Sequence, residues 1–415
     1  MKIRSLLVAG FALSLSAPLA AQTLSLEEAL RIAEAQSPRL AAQRHSIEAA
    51  AELVGRAAEL PDPKLRLGLE NLPVTGSERF RYDRDFMTAR SVGVMQDFPS
   101  EAKRRARGAR AEAMRVVEQA GLEAQRAAVH REAAAAWLDV HFAEKALGAL
   151  ERLAGQFQLQ IDAVAVGVSR GRQSGVEAYT LRQALEQVND RVIEQAKAVR
   201  KARIRLAGWL PADASRPLGP PPDTARFAHP REHLVTRLAE HPMLRVYDDQ
   251  ATLAEREVDL ARSSKSSDWS LQVGYAQREP AFSNMVSVAV TIDLPWQAER
   301  RQDRDIAAKL SEAGRVRALR EESRRTHEAE LRAWIADLDT ASERIGRFSR
   351  VLLPLAHERV AAARAAYQGG RGELGPVLEA ERSVAETEAA MIAVEAERAR
   401  AWADLNFVYS QGGRP

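Results

Sequence analysis

Four short stretches of the chain alternate between apolar and polar residues, and almost everything else of any length repeats at the helical period. Leu65, Leu67 and Leu69 fall on one side of the first stretch, with Lys64, Arg66 and Glu70 on the other. Val92, Val94 and Phe98 share a side in the second, with Gln96 between the last two. Further along, Trp269, Leu271, Val273 and Tyr275 alternate with Ser270, Gln272, Gly274 and Ala276. Val286, Val288, Val290 and Ile292 then alternate with Ser287, Ala289, Thr291 and Asp293. A two-residue period is that of a strand, which predicts strands over about 63–72, 89–98, 268–278 and 284–294.

The rest reads as helix over about 24–60, 100–166, 176–208, 231–262, 296–366 and 376–409, from strong helix formers at a 3.6-residue period. Each half of the chain has one long segment flanked by two short ones. The short pair together matches the long one, as if two helices stacked end to end lay beside a third. At 1.5 Å per residue the long segments reach about 100 Å, a length that a coiled-coil wall or tube needs and a compact globule does not.

The two halves echo each other. Asp97-Phe98-Pro99-Ser100-Glu101-Ala102-Lys103-Arg104-Arg105 returns as Asp293-Leu294-Pro295-Trp296-Gln297-Ala298-Glu299-Arg300-Arg301, about 200 residues on. Ala136-Trp137-Leu138 is matched by Ala333-Trp334-Ile335, Gly171-Arg172-Gln173-Ser174 by Gly370-Arg371-Gly372-Glu373, and Gln36-Ser37-Pro38-Arg39-Leu40 by Glu240-His241-Pro242-Met243-Leu244. The order is the same in both halves. The predicted organisation is a first repeat over 22–207, a proline-rich linker over 208–230, a second repeat over 231–410 and a tail over 411–415.

Composition narrows the setting. Residues 1–21 read as a secretory signal: Lys2 and Arg4 come first, Leu6 to Leu15 is apolar, and Leu19-Ala20-Ala21 offers small residues for cleavage. The apolar run is too short to span a bilayer, which takes about 20 residues. The chain has no cysteine, which excludes disulfides, thiol catalysis and thiolate metal sites. Its net charge of +3 comes from interleaved bases and acids, not the basic stripe of a nucleic-acid binder. Four strands of about ten residues have the length and alternation of membrane-barrel strands. An open four-stranded sheet in lipid would leave its edges unsatisfied. The strands therefore either form a small soluble sheet or are pooled by several chains into one closed barrel.

With these features the chain resembles the outer-membrane efflux proteins of the TolC type, over about residues 24–410. The resemblance rests on the repeat, the strand pair in each half, and the turns Gly171-Arg172-Gln173-Ser174 and Tyr367-Gln368-Gly369-Gly370-Arg371-Gly372-Glu373. Leu69-Glu70-Asn71-Leu72-Pro73 and Met95-Gln96-Asp97-Phe98-Pro99 look closer to the heavy-metal branch, the CzcC and CusC type. The resemblance implies a mainly α protein with a membrane β component. In it three copies form a twelve-stranded barrel and a periplasmic helical tunnel. It implies an outer-membrane location and a passive exit duct without enzymatic activity or cofactor. An inner-membrane transporter and a periplasmic adaptor would be its partners, and heavy-metal cations its cargo.

Residue by residue, the resemblance points to Glu379 and Glu177 as acids narrowing the tunnel tip, although Pro376 stands where the family has a first acid. The plainer reading of both is a solvated glutamate near a helix N-terminus. The turns, with Gly171, Arg172, Ser174, Gly370, Arg371 and Glu373, would meet the adaptor, or simply reverse the chain. Phe98, Arg104, Arg105, Trp296, Arg300 and Arg301 would mark the joint where strand becomes helix at the membrane surface. His229 and His233 have Pro230 between them, and with His241 nearby they read as capping or solvated rather than metal-binding. Other readings are a periplasmic coiled-coil adaptor or scaffold, a duct for drugs or organic solutes, and an exported helical enzyme. No acid/base or metal constellation supports the enzyme.

Overall fold

A computed structural model describes residues 23–169, 175–227 and 230–409, with residues 167–169, 231 and 232 by backbone alone. The signal over 1–21, His229, the tail over 411–415 and the turn residues Gly171, Arg172 and Ser174 lie outside the described residues.

The elements in chain order are α1 (Leu26–Gln36), α2 (Pro38–Ala57), β1 (Lys64–Glu70), β2 (Ala89–Phe98), α3 (Glu101–Ser169), α4 (Gly175–Ala207), α5 (Arg231–Leu234), α6 (Pro242–Ser263), β3 (Trp269–Gln277), β4 (Met285–Ile292), α7 (Gln302–Arg347), α8 (Leu353–Gln368) and α9 (Leu374–Asn406). The chain divides into two units. One holds residues up to Gln36 with Glu132–Ala225 and Ala341–Arg400, and the other holds Ser37–Arg131, Arg226–Thr340 and the residues from Ala401 on.

The first unit is helical, and its core follows from stripe spacing. Leu153, Phe157, Ile161 and Val164 of α3 pack with Leu181 and Val188 of α4 and with Leu374, Val377 and Leu378 of α9. Steps of three, four and seven put each set on one helix face. The segment read as a linker is partly built into this unit. Leu210 is fully buried, and Leu24 pairs with Leu218 through backbone hydrogen bonds at 2.8 and 3.0 Å. The Trp137 indole is buried and donates to the Leu24 carbonyl at 3.1 Å.

The second unit carries the sheet. Its strands run antiparallel in the order β1-β2-β3-β4. Leu67 pairs with Val92, Val92 with Tyr275 and Tyr275 with Val286, so residues of equal parity share a face across all four strands. In the same unit the end of the chain is held by its aromatics. Trp402 donates to the Arg226 carbonyl at 2.6 Å, and the Tyr409 hydroxyl donates to the Leu234 carbonyl.

Two expected helices are broken, and for the same reason. The run 24–60 divides at Ser37, and the run 231–262 at His241, each directly before a proline. A residue preceding proline is pushed out of the helical region, and proline has no N–H to continue the ladder. Ser37 (ψ 115°) accepts the Leu40 N–H, and His241 (ψ 127°) accepts the Met243 N–H through Nδ1. Both therefore cap the helix that proline opens. The long helix of the second half also begins later than its sequence suggests. Gln297 adopts a left-handed conformation at φ 60°, a 3₁₀ turn covers Ala298–Arg300, and α7 starts at Gln302. Pro354 interrupts the far end of that helix. A π turn over Phe348–Leu352 absorbs the register that proline cannot hold.

Candidate functional site

The sheet is the most unusual surface of the second unit. One face reads, row by row, Leu67-Val92-Tyr275-Val286, then Leu65-Val94-Val273-Val288, then Gln96-Leu271-Val290, then Phe98-Trp269-Ile292. These apolar side chains are largely exposed, Leu67 at 72% and Val286 at 71%. A soluble sheet would turn such a face inward. The other face is mostly small and polar, with Met95 and Met285 as exceptions. Gly68, Ser91, Gly93, Gly274, Ala276, Ser287 and Ala289 line it with Arg66, Lys64, Gln272 and Asp97. Lys64 and Asp97 pair across it at 2.7 Å. β1 and β4 each have one neighbour, so both outer edges are open among the described residues.

The first joint is tightly built. Phe98 stacks on Trp269, ring centroids 4.2 Å apart and 14° from parallel. After Pro99, Ser100 accepts the Lys103 N–H at 3.3 Å and so starts α3. Asp268 ties β3 to the same turn by accepting the Ser100 N–H at 2.8 Å and pairing with the Lys103 ammonium. Arg105 reaches only Glu101, one turn back, and both are exposed. The Arg104 Nε is buried without a partner. The second joint is looser: Trp296 is 77% exposed, and Arg300 and Arg301 lie in or beside the 3₁₀ turn and face solvent. The two nonapeptides thus resemble each other in sequence and differ in local structure, because Ser100 caps a helix where Trp296 cannot.

The turn after α8 belongs to the first unit. Gly370 has φ +67°, its N–H donates to the Tyr367 carbonyl, and the Arg371 N–H donates to that of Ala366. This is a Schellman closure with glycine in the left-handed position. Gly370, Arg371 and Glu373 are exposed. Pro376 falls in the first turn of α9, at its third residue rather than its first.

Glu177 and Glu379 do not share partners. Glu177 accepts the Tyr367 hydroxyl at 3.3 Å, and Glu379 pairs with Arg359 at 3.1 Å in an exposed contact. The carboxylate that sequence reasoning passes over is Glu381, only 4% exposed. It takes two hydrogen bonds from Gln160 Nε2, at 2.7 and 2.8 Å, and two from the Arg364 guanidinium, at 2.6 and 3.0 Å. Its place in the series 374, 377, 378, 381 is the signal that it faces inward.

Among the described residues no three metal-binding side chains come together. His241 instead stacks on His327 with ring centroids 4.0 Å apart, and His327 Nδ1 lies 2.9 Å from Glu330. Burial, then the neighbouring His327 and Arg131, pushes His241 down to about 3. It is a neutral cap, not a solvated side chain. Among the described residues no helix is long and apolar enough to cross a membrane.

No protein-family model matches the sequence, and no curated protein is significantly similar to it. Solved structures match the fold across almost its full length. CusC, described for its folding and transmembrane channel formation, superposes with a TM-score of 0.79 at 15% identity, covering 93% of this chain and 92% of its own. The outer-membrane channel OprN gives 0.76 at 15% identity, over 93% and 90%. The outer membrane protein VceC of Vibrio cholerae gives 0.76 at 16% identity, over 94% and 96%. The chain is mostly helical with a small antiparallel sheet and has the fold of these outer-membrane channels.

Proposed function

We propose that this chain is the outer-membrane exit duct of a tripartite efflux pump and that three copies complete it. The observation that carries the proposal is the sheet, whose largely exposed face is apolar except for Gln96 over four rows and whose two edges are open. Lipid accepts such a face but not open edges, since an unsatisfied backbone group there costs several kcal/mol. Joining β4 of one copy to β1 of the next satisfies both edges, and three copies give twelve strands. The small polar face then lines a wet lumen. Phe98, Trp269 and Trp296 lie where strands give way to helices, which suits an aromatic belt at the inner membrane surface.

In this reading the helices form a tunnel on the periplasmic side, built from two repeats of strand pair and long helix. The exposed turn at Gly370, Arg371 and Glu373, with its counterpart at Gly171, Arg172 and Ser174, meets a periplasmic adaptor. Glu177 and Glu379 contribute carboxylate rings that favour cations. Conduction is passive, and an inner-membrane transporter supplies the energy. Heavy-metal cations are the proposed cargo, supported by the likeness of the 69–73 and 95–99 stretches to the metal branch.

The absence of cysteine allows a clean test. Leu67→Cys in β1 and Val288→Cys in β4, introduced together, form chain-to-chain disulfides and a three-copy ladder in outer-membrane fractions. A soluble monomer would sink the duct. For the cargo, a deletion strain is grown on zinc, cobalt, cadmium, copper and silver. Unchanged tolerance with new sensitivity to a drug or dye rejects metals in favour of organic solutes.

A further inference from the structure

The loop end of the sheet carries a feature that the duct itself does not require. Two hairpin loops meet there, 71–88 and 278–284. Phe86 and Phe282 lie 6.4 Å apart, and the Arg278 guanidinium donates to the Phe86 carbonyl. Three arginines sit over aromatic rings: Arg79 over Phe80 at 4.7 Å, Arg90 over Tyr82 at 5.8 Å and Arg278 over Phe282 at 5.1 Å. Phe80 is held at φ +58° with its ring mostly exposed. A non-glycine residue in that conformation is strained, and here it sets an aromatic ring outward under a cation.

The charges are arranged unevenly. Asp85 is occupied by the Met87 N–H at 2.6 Å, and Asp83 faces Arg81 at 3.7 Å. Glu78 keeps one carboxylate oxygen buried without a partner. Arg79, Arg84 and Arg90 have no carboxylate partner among the described residues, and the Arg278 Nε is buried and unpartnered. The register places Arg90 on the apolar face's side of the sheet, in the row after Leu67-Val92-Tyr275-Val286, between Leu69 and Gln277. From Arg90 to Phe98 is eight residues, about 27 Å before tilt and close to the roughly 25 Å of a barrel's apolar band. In the duct reading, strands tilted by about 40° make that rise about 21 Å, which puts Arg90 near the outer end of the apolar band, within reach of the head groups for a long side chain.

We infer that this loop end binds the phosphate groups of a glycolipid in the outer leaflet, through Arg79, Arg84 and Arg90 backed by the exposed rings of Phe80 and Tyr82. Planar guanidinium groups fit phosphate oxygens bidentately, and rings beside them pack on the sugar and acyl boundary. The inference rests on the duct reading, which puts these loops on the outer side of the membrane.

The test uses the purified full-length assembly titrated with bisphosphorylated lipid A, monophosphorylated lipid A and a fully dephosphorylated form, with bound lipid counted by native mass spectrometry. Each arginine near a lipid surface is worth about fivefold in affinity. Arg79→Gln/Arg84→Gln/Arg90→Gln then loses roughly a hundredfold towards the bisphosphorylated lipid, while Arg325→Gln/Arg332→Gln on α7, far along the helix from the sheet, loses nothing. Equal affinity of the unmodified protein for all three lipids overturns the inference, as does a triple variant that binds normally. If the triple variant fails to assemble, the lipid series on the unmodified protein and on Arg84→Gln alone decides it. Failure of the unmodified protein to assemble in membranes would count against the duct. An assembled protein indifferent to phosphate counts only against this site.

Discussion

The Arg364 guanidinium reaches the almost fully buried Glu381 carboxylate at 2.6 Å, and Gln160 completes the carboxylate's hydrogen bonds. Removing the cation leaves a buried charge with one neutral donor. Arg364→Ala is expected to destabilise the protein by about 2 kcal/mol, below the 3–5 typical of a fully buried pair because Arg364 is half exposed. The joint replacement Glu381→Leu with Arg364→Leu recovers most of that loss. Denaturant midpoints of the three proteins give the comparison, and a double variant less stable than Arg364→Ala would show that the pair stabilises in its own right.

His241 is expected to make the second unit acid-sensitive. Its folded value of about 3 lies below the ordinary 6.5 or so. The stability it carries is therefore complete above pH 6.5 and is lost as pH falls towards 3, by about 2 kcal/mol at pH 5. His241→Asn keeps an acceptor for the Met243 N–H and cannot titrate. The variant should show a flatter fall in stability between pH 6.5 and 4 than the parent, whatever its stability at pH 8. Parallel curves for the two proteins would place the acid sensitivity elsewhere.

Two glycines of the sheet separate backbone from side-chain crowding. A Cβ on Gly93 would come within 3.0 Å of the Val273 carbonyl oxygen, which the ladder fixes. A Cβ on Gly274 would meet the Ser287 Oγ at 2.9 Å, and that hydroxyl can rotate away. Gly93→Ala should therefore cost 1–3 kcal/mol, about the penalty for overpacking, and Gly274→Ala clearly less. Thermal unfolding of the assembled protein ranks them. The reverse order would contradict the sheet register.

At the turn, Gly370→Ala must place a side chain at φ +67° and is expected to cost about 1 kcal/mol, with Gly370→Asn cheaper because asparagine tolerates that region. Helix-end fraying near Tyr367, followed by amide exchange, reports it. Equal protection in all three proteins would mean that the Schellman closure does not depend on glycine.

The strands were legible because a two-residue period survives whatever covers it: alternation marks the face, and only the sign of the environment is left open. Long helices were legible from composition and period. The breaks at Ser37 and His241 were less so, since the apolar stripe continues past each proline and only the local rule for a residue before proline stops the helix. The delayed start of α7 depends on Gln297 taking a left-handed conformation, for which its side chain gives little signal. Glu381 was hidden by its type, because a charged residue is read as exposed until its spacing is compared with Leu374, Val377 and Leu378. His241 and His327 meet across 86 residues of sequence, and no local pattern announces such a pair.

The open edges of β1 and β4 bear on how the protein is made. A lone subunit would have no resting state in either medium: its apolar face repels water and its unpaired backbone repels lipid. On the proposed three-copy duct, insertion and closure would then be a single event, with no inserted monomer waiting for partners. Before that event the sheet edges would need an escort that covers them, or the strands would stay unfolded while the helices form. On that proposal, biogenesis is limited by the concentration of the chain's own copies at the membrane.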